Sequence, residues 1–346
     1  MSKVLVTGAT GFVALHIIGQ LIEKSYSVIG TVRSQAKAEK LIKQFKEKYG
    51  ADVKLELVIV EDIAGTGAFD TLFKSHKDIG SVLHTASPFS DAQTDDFEKG
   101  YKRPAVEGTL NVLGSIKEFA PQVKKVVITS SMAAIIHSDK LFDLTFIHTE
   151  ETWNPLEWKD SQINWQMAYI ASKKLAEKAA WDFIKENKVN FTLTTVNPPL
   201  IFGPQFFDIE DPKGTLNTSA EVIQGMLATD PNDTHLFDNL TNVSTDVRDI
   251  AAFHIIPLEK NGVEGHRLLP IAGRFSAQKI LDLINEQFPE LRGKIAKGDT
   301  ANEASLQAVG YNIDKTVELV GGYDFIPLKK QVYDSVKQIL DASKKQ

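Results

Sequence analysis

The sequence predicts an α/β protein built on a doubly wound parallel sheet, with a smaller, mainly helical lobe at its C-terminal end. Three observations predict it. A short apolar run at the N-terminus gives way at once to glycines and then to apolar residues at helical spacing. Strand-like and helix-like stretches alternate as far as Val196, the pattern of a parallel sheet with helices on both faces. After Asn197-Pro198-Pro199 the alternation stops, and short helical stretches separated by irregular chain take over.

Residues 4–6 read as the first buried strand. Gly8 allows a tight turn after it. Gly11 removes a side chain where the backbone must come close to a ligand, and Ala14 is small enough for the helix at 12–22 to lie against the strand. Residues 26–32 form a second strand and 35–49 a polar helix with Lys and Glu on its open side. A third strand at 53–60 ends at Glu61 and Asp62, and a short helix follows at 68–77. The fourth strand, 80–85, runs into the turn Ala86-Ser87-Pro88. The long helix at 101–119 has Pro104 near its start, where a missing N–H is tolerated. A fifth strand at 123–129, a helix at 165–186 and a sixth strand at 191–196 complete the alternating part. Beyond it, residues 202–216 are rich in Gly, Pro and Asp, and helices are expected at 219–227, 247–259, 277–287 and 328–343.

The 346 residues are 42% hydrophobic and 24% charged, an ordinary globular composition. A net charge of −6 gives no basic footprint, so nucleic acid is not an expected partner. No apolar run reaches membrane-spanning length, and no membrane partner is expected. Cysteine is absent, which excludes disulfides, cysteine-ligated zinc and thiol catalysis. No His/Asp/Glu cluster has metal spacing, so no metal is expected, and His84, His137 and His254 read as satisfied core or turn residues. The opening MSKVLVTG runs straight into a core strand with no cleavable signal, so a cytoplasmic location is expected.

In such sheets ligands bind beyond the carboxyl ends of the strands, so the loops after Val6, Val32, Val60, Leu83, Ile128 and Val196 should face one cleft. The glycine turn and the helix N-terminus behind it suit a dinucleotide pyrophosphate. At the end of the second strand, where an acid would hold a ribose 2′-hydroxyl, stands Arg33, with Lys37 one turn on. Paired donors there clasp a 2′-phosphate, which points to NADP(H) over NAD(H). Asp62 either accepts from the adenine amino group or caps the next helix; both readings stand. Tyr169 and Lys173, four apart, share a helix face. A phenol beside an ammonium has a lowered pKa and can transfer a proton near neutral pH. Thr129-Ser130-Ser131 ends the fifth strand. A hydroxyl there either donates to a substrate carbonyl or merely starts a turn. On this reading residues 1–196 are a dinucleotide-binding core to which later segments return. Residues 197–346 are mainly a substrate lobe with the C-terminal helices, and the whole is one compact unit.

Glycine turn, Ser at the end of strand five and Tyr-x-x-x-Lys, in that order, resemble the short-chain dehydrogenase/reductase superfamily. The TGATGFVA form and the chain length resemble its extended branch. More narrowly, HTASP at 84–88, TSS at 129–131, AYIASK at 168–173, VNPPLIFGPQ at 196–205, LNTS at 216–219 and DVRD at 246–249 are similar to the yeast NADPH-dependent methylglyoxal/isovaleraldehyde reductases. Plant dihydroflavonol and cinnamoyl-CoA reductases share the pattern more loosely. The resemblance runs nearly end to end. It implies a Rossmann-type core, NADPH as cofactor, and reduction of a small-molecule carbonyl: an aldehyde, α-dicarbonyl or ketone. It implies Ser131 as the catalytic serine, Tyr169 as the acid, and Lys173 as the lysine that lowers its pKa and holds the nicotinamide ribose. Besides these and Gly11, the residues Gly8, Phe12, Val13, Arg33, Lys37, Asp62, Ile63, Thr85, Ala86, Pro198, Leu200 and Ser219 fall where the family touches the cofactor. Phe89, Met132, Ile136, Trp165 and Phe202 fall where relatives line the substrate pocket. There are departures. Ala14 stands for the third glycine, as is normal in this branch. The helix-four Asn of other members has no match, since Pro104-Ala105-Val106 occupies that region. Met132 stands where some relatives carry an aromatic residue. A monomer or homodimer is expected. Two rivals share the scaffold. One is a nucleotide-sugar epimerase or dehydratase holding NAD, against which Arg33 speaks. The other is a cofactor-sensing protein that does no chemistry, against which the Tyr–Lys pair speaks.

Overall fold

Strands made of continuous apolar residues need cover on both faces, and the helices between them supply it. The computed structural model describes residues 2–87, 96–212, 214, 216–301 and 307–345. The chain runs β1 (Lys3–Thr7), α1 (Phe12–Glu23), β2 (Val28–Val32), α2 (Gln35–Tyr49), β3 (Leu55–Ile59), α3 (Asp70–Ser75), β4 (Ile79–His84), α4 (Arg103–Phe119) and β5 (Lys125–Thr129). A short strand β6 (Ile147–His148) and a single turn α5 (Trp158–Ser161) lead to α6 (Trp165–Glu186) and β7 (Thr192–Val196). Then come β8 (Leu200–Phe202), α7 (Thr218–Leu227), β9 (Thr241–Asp246), α8 (Val247–Glu259), β10 (Arg267–Leu268) and β11 (Gly273–Ser276). The chain closes with α9 (Ala277–Gln287), β12 (Gly310–Tyr311), α10 (Asp314–Val320) and α11 (Leu328–Lys344).

Among the described residues seven strands form one parallel sheet in the order β10-β7-β5-β4-β1-β2-β3. This is the Rossmann-type, doubly wound arrangement. The chain winds outward from β1 to β3, then returns to the other side of β1 to lay down β4. The loops leaving β1 and β4 therefore diverge, and a crevice opens between them. One face of the sheet is covered by α1, α2 and α8 through Ile17, Ile18, Leu41, Phe45 and Phe253. The other is covered by α3, α4 and α6 through Phe69, Phe73, Val112, Leu113 and Ala180. No helix among the described residues is long and apolar enough to cross a membrane.

The structure adds strands that periodicity does not reveal. β10 has two residues, yet it extends the main sheet beyond β7. The C-terminal lobe, expected to be mainly helical, also contains a three-stranded sheet in which β9 pairs parallel with β8 and antiparallel with β11. β9 reads Thr-Asn-Val-Ser-Thr-Asp and buries polar side chains, so no apolar alternation marks it. That sheet packs with α7, α9 and α11 around Phe202, Ile223, Phe275, Ile280 and Val336.

After β8 the chain crosses back over the main core. Phe206 meets His16 edge-on at 5.2 Å and stacks near Phe45 at 5.5 Å. Phe207 meets Phe45 edge-on at 5.2 Å. Gln338 of α11 brackets this strap, its amide donating to Gln205 O and Phe207 O and its carbonyl accepting from Gln205 N at 2.7 Å.

A close approach inside the sheet is at Gly30 of β2. A Cβ there would lie 2.8 Å from Ala9 Cβ in the glycine turn and 2.8 Å from Leu57 Cδ2 on β3. The Leu57 methyl can turn aside, but Ala9 Cβ is fixed to the backbone of the glycine turn and cannot. Gly30→Ala is therefore expected to cost about 1–3 kcal/mol, as overpacking does. The measurement is urea unfolding, where the midpoint should fall with an unchanged m-value. An unchanged midpoint would show that the turn and β3 yield freely.

Candidate active site

The glycine turn is built from both sides. Thr31 of β2 accepts from Gly8 N with its hydroxyl at 3.0 Å and from Ala9 N with its carbonyl at 2.8 Å. On the other side the Thr7 hydroxyl accepts from Thr85 N at 3.1 Å and Ala86 N at 3.0 Å, and bonds His84 Nδ1 at 2.9 Å. Gly8 has φ +70°, and a Cβ on it would lie 3.0 Å from Ala86 Cα, so only glycine fits. Gly11 caps α1 in an extended conformation, with no side chain on the helix N-terminus and no acid in its first turn. The first-turn N–H groups of Phe12 and Val13 are thus left for an anion.

Ser34 caps α2 by accepting from Lys37 N, which sets Arg33 and Lys37 at the end of β2. Both side chains are exposed, and neither pairs with a carboxylate among the described residues. Asp62 caps its own turn, Oδ1 accepting from Ala64 N at 2.9 Å. Ile63 is buried against Gly108 of α4, and Asn111 holds the loop by donating to Ile63 O and Gly65 O, each at 2.9 Å. Pro198 O accepts from Met132 N at 2.8 Å, and Leu200 lies on β8. The Ser219 hydroxyl donates to Ile201 O and accepts from Asn217 Nδ2.

Asn164 starts α6 by accepting from Met167 N at 3.0 Å, and this cap places Tyr169 and Lys173 one turn apart beside the end of β5. The two serines there face different ways. Ser130 turns inward and donates to Glu177 Oε2 at 2.5 Å. Ser131 caps the turn at Met132–Ala134, accepting from Ala133 N at 3.1 Å, and its hydroxyl hydrogen bonds Tyr169. Ser131, Tyr169 and Lys173 are thereby brought together. Lys173 Nζ donates to Thr129 O at 3.3 Å.

The charge balance differs from the simple expectation of a phenol lowered by its lysine. Burial pushes the Tyr169 phenol up, and the bond from Ser131 only partly offsets this. Burial also brings Lys173 down to about 8, against the attraction of Glu177. In this structure the ammonium is committed to Thr129 O, and desolvation outweighs any pull on the phenol. Burial takes His84 to about 3 and His254 to about 4, so both are neutral at pH 7. His254 Nδ1 must donate to Ile250 O, which leaves Nε2 to accept from the Thr129 hydroxyl at 2.6 Å.

The residues expected around a substrate are not gathered into one cluster. Met132 and Ile136 are buried in an apolar group with Val243, Leu269 and Ile271. Phe202 lies in the lobe core, edge-on to Phe275 at 4.9 Å. Trp165 is 41% exposed at the start of α6. Phe89, like Pro88 before it, lies outside the described residues. Sequence reasoning passes over Glu177, although its spacing from Tyr169 and Lys173, eight and four residues, puts all three on one helix face. Glu177 is fully buried and ion-paired with Arg267, whose Nε donates to Oε1 at 2.5 Å.

Residues 4–269 match the NAD dependent epimerase/dehydratase family. The chain is 42% identical over 343 residues to an NADPH-dependent methylglyoxal reductase of Saccharomyces cerevisiae, covering 98% of each chain. It is 36% identical over 339 residues to a ketoreductase of Aspergillus niger, again over 98% of each. Its fold superposes on the crystal structure of Candida albicans Gre2 in complex with NADPH with a TM-score of 0.92, at 43% identity and over 99% of both chains.

The buried lysine gives a test that needs no substrate. Lys173 titrates at about 8 when folded and near 10.5 when unfolded. Between those values the unfolded chain holds a proton that the folded chain lacks, so this residue's contribution to stability rises with pH. Lys173→Met removes that slope. The stability of the parent relative to the variant, from urea unfolding, should climb between pH 8 and 10. A flat difference would mean that Lys173 titrates at its ordinary value.

Proposed function

The chain belongs to the NAD dependent epimerase/dehydratase family, and from that premise we propose that it is an NADPH-dependent carbonyl reductase acting on small aldehydes, α-dicarbonyls or ketones. The observation that carries the reading is the meeting of Ser131, Tyr169 and Lys173 at the strand-end crevice that also holds the uncapped glycine turn. The names of the similar reductases support it.

The residues present fit the cofactor. The bare N-terminus of α1 suits a pyrophosphate. Among the described residues Arg33 and Lys37 pair with no carboxylate where a 2′-phosphate would come, and no carboxylate ends β2 to accept from a ribose hydroxyl. That absence disfavours an NAD-holding sugar epimerase. NADPH, when bound, supplies the hydride. The protein's own part is proton transfer and positioning. Tyr169 delivers its phenolic proton to the carbonyl oxygen, and its raised pKa keeps that proton in place until charge develops. Ser131, whose oxygen is anchored by Ala133 N, turns its hydroxyl hydrogen from Tyr169 to the same oxygen when substrate is present. Lys173, held at Thr129 O, places a cation beside the phenol as it becomes phenolate, and it would hold the nicotinamide ribose of a bound cofactor.

Activity is tested by following loss of nicotinamide absorbance over a panel of aldehydes, diketones and aryl ketones. Tyr169→Phe keeps the ring and removes only the transferable proton. The expected loss in kcat is about two or more orders of magnitude, the usual share of acid catalysis, with NADPH binding preserved. Near-normal turnover in the Phe variant would sink the assignment.

Cofactor choice is tested at Arg33. A charge-assisted hydrogen bond contributes roughly 1.5–3 kcal/mol, and about 1.4 kcal/mol is tenfold in binding. Two such contacts give the wild type a preference for NADPH of about a hundredfold, less at high salt. Arg33→Asp should weaken NADPH and raise NADH activity, read as kcat/KM for each cofactor. A wild type that prefers NADH, or a variant that keeps its NADPH preference, would place the phosphate site elsewhere.

A further inference from the structure

Beneath the catalytic cluster one carboxylate collects six donors. Glu177 Oε1 accepts from Arg267 Nε at 2.5 Å, Trp181 Nε1 at 3.2 Å and the Thr195 hydroxyl at 3.2 Å. Oε2 accepts from Ser130 Oγ at 2.5 Å, Asn197 Nδ2 at 2.6 Å and Arg267 Nη2 at 3.3 Å. These donors come from the ends of β5, β7 and β10 and from α6 itself. A buried ion pair is no stability device in its own right, since apolar replacements of such pairs are often as stable. Its surroundings assign it another task. Asn197 Nδ2, while bound to Glu177, also reaches Ser131 O at 3.2 Å. Lys173 lies one helical turn away, across a cavity of about 10 Å³ lined by Ser130, Thr109, His84 and Glu177 among others. Lys173 and Glu177 thus line the same small, water-poor space, where little solvent screens one charge from the other.

We propose that Glu177 is a positioning residue for carbonyl reduction: a single anion that steadies the Lys173 cation from below and, through Asn197, fixes the backbone that presents Ser131. The proposal rests on the carbonyl-reductase reading of the site. The charged and titratable groups around Lys173 are few. His84 from β4 and His254 from α8, behind Thr129, are neutral at pH 7. Tyr169 shares its helix and is protonated. Arg267 from β10 lies on the far side of Glu177 and is also held by Glu150 O at 2.7 Å and Thr152 O at 2.6 Å. Glu177 is the attraction that opposes the desolvation of Lys173.

The test is the pH dependence of kcat/KM for NADPH, which reports groups of the free enzyme. The parent should lose activity above about pH 8 as Lys173 loses its proton. Glu177→Gln removes the anion but leaves Arg267 unmatched. The double variant Glu177→Gln/Arg267→Gln therefore deletes the pair as a neutral unit. In the single variant the alkaline limb should move down by about one pH unit or more, the effect of losing a nearby opposite charge; in the double variant it should move the same way by less, because the repulsion of Arg267 goes with the anion, and kcat should fall in both. A folded variant whose limb stays at the parental pH overturns the proposal and leaves Glu177 a structural residue, whatever happens to the rate. If neither variant folds, Glu177→Asp decides: it keeps the charge but withdraws it by a methylene, so the limb should stay near pH 8 while kcat falls about tenfold. Parental kcat in that variant overturns the proposal. If the parent binds NADPH but reduces no carbonyl, the reductase reading fails. The same limb, now read in NADPH affinity, still judges Glu177.

Discussion

Where two parallel strands part, their last backbone amides lose their partners, and a buried amide without a partner is costly. In this protein that problem arises between β1 and β4, and the Thr7 hydroxyl meets it. It takes the N–H groups of Thr85 and Ala86 and bonds the neutral ring of His84. The two strand ends are thereby tied just where their loops diverge. The position of Gly8 over Ala86 follows from that tie, and the direction of α1 follows from Gly8. The crevice is thus a by-product of satisfied hydrogen bonding, not a gap left by loose packing.

The Ser131–Tyr169–Lys173 cluster on the neighbouring strand shows the opposite economy of charge. Its groups are buried, so each cation or anion must be matched within a few ångströms. Two histidines stay neutral, one lysine loses much of its affinity for its proton, and a phenol holds its own more tightly. The Glu177 carboxylate pairs with Arg267 and is saturated with donors. A site arranged this way responds steeply to any charge brought into it, because little water is present to screen the change.

The legibility of the fold tracks local chemistry. The sequence reading bounds α2, α6, α8 and α9 at the residues the structure shows, and each begins at a side chain that accepts from its own first turn: Ser34, Asn164, Asp246 and Ser276. α7 begins at Asn217, whose side chain makes no such bond, and the reading of its start is off by one residue. The short strands β6, β10 and β12 have two residues each, too few for any period, and they exist because of what they lie beside. In the site, Tyr169 and Lys173 are marked by their spacing, while Ser131 is singled out from Ser130 only by the family resemblance. Which serine turns toward Tyr169 and which toward Glu177 depends on backbone direction after β5. The high pKa of Tyr169 depends on burial, which no spacing conveys. The positions of Met132, Ile136 and Phe202 are set by two separate apolar clusters that join distant segments, so their arrangement is not a property of any one stretch.

The aromatic strap bears on how the molecule can breathe. Phe206 and Phe207 descend from the lobe onto α1 and α2, close against Phe45, while Gln338 fastens the same segment to the last helix. Prising the two layers apart would return the buried Phe45 and the covered parts of the half-buried Phe206 and Phe207 to water, at about 1.5–3 kcal/mol for a whole ring. The separated form would then make up on the order of a thousandth of the molecules or fewer. Lobe and first helix must accordingly travel as one rigid piece. Traffic of small molecules in and out of the crevice is left to the loops at its rim, and any change of rate in that traffic should originate there and not in a hinge.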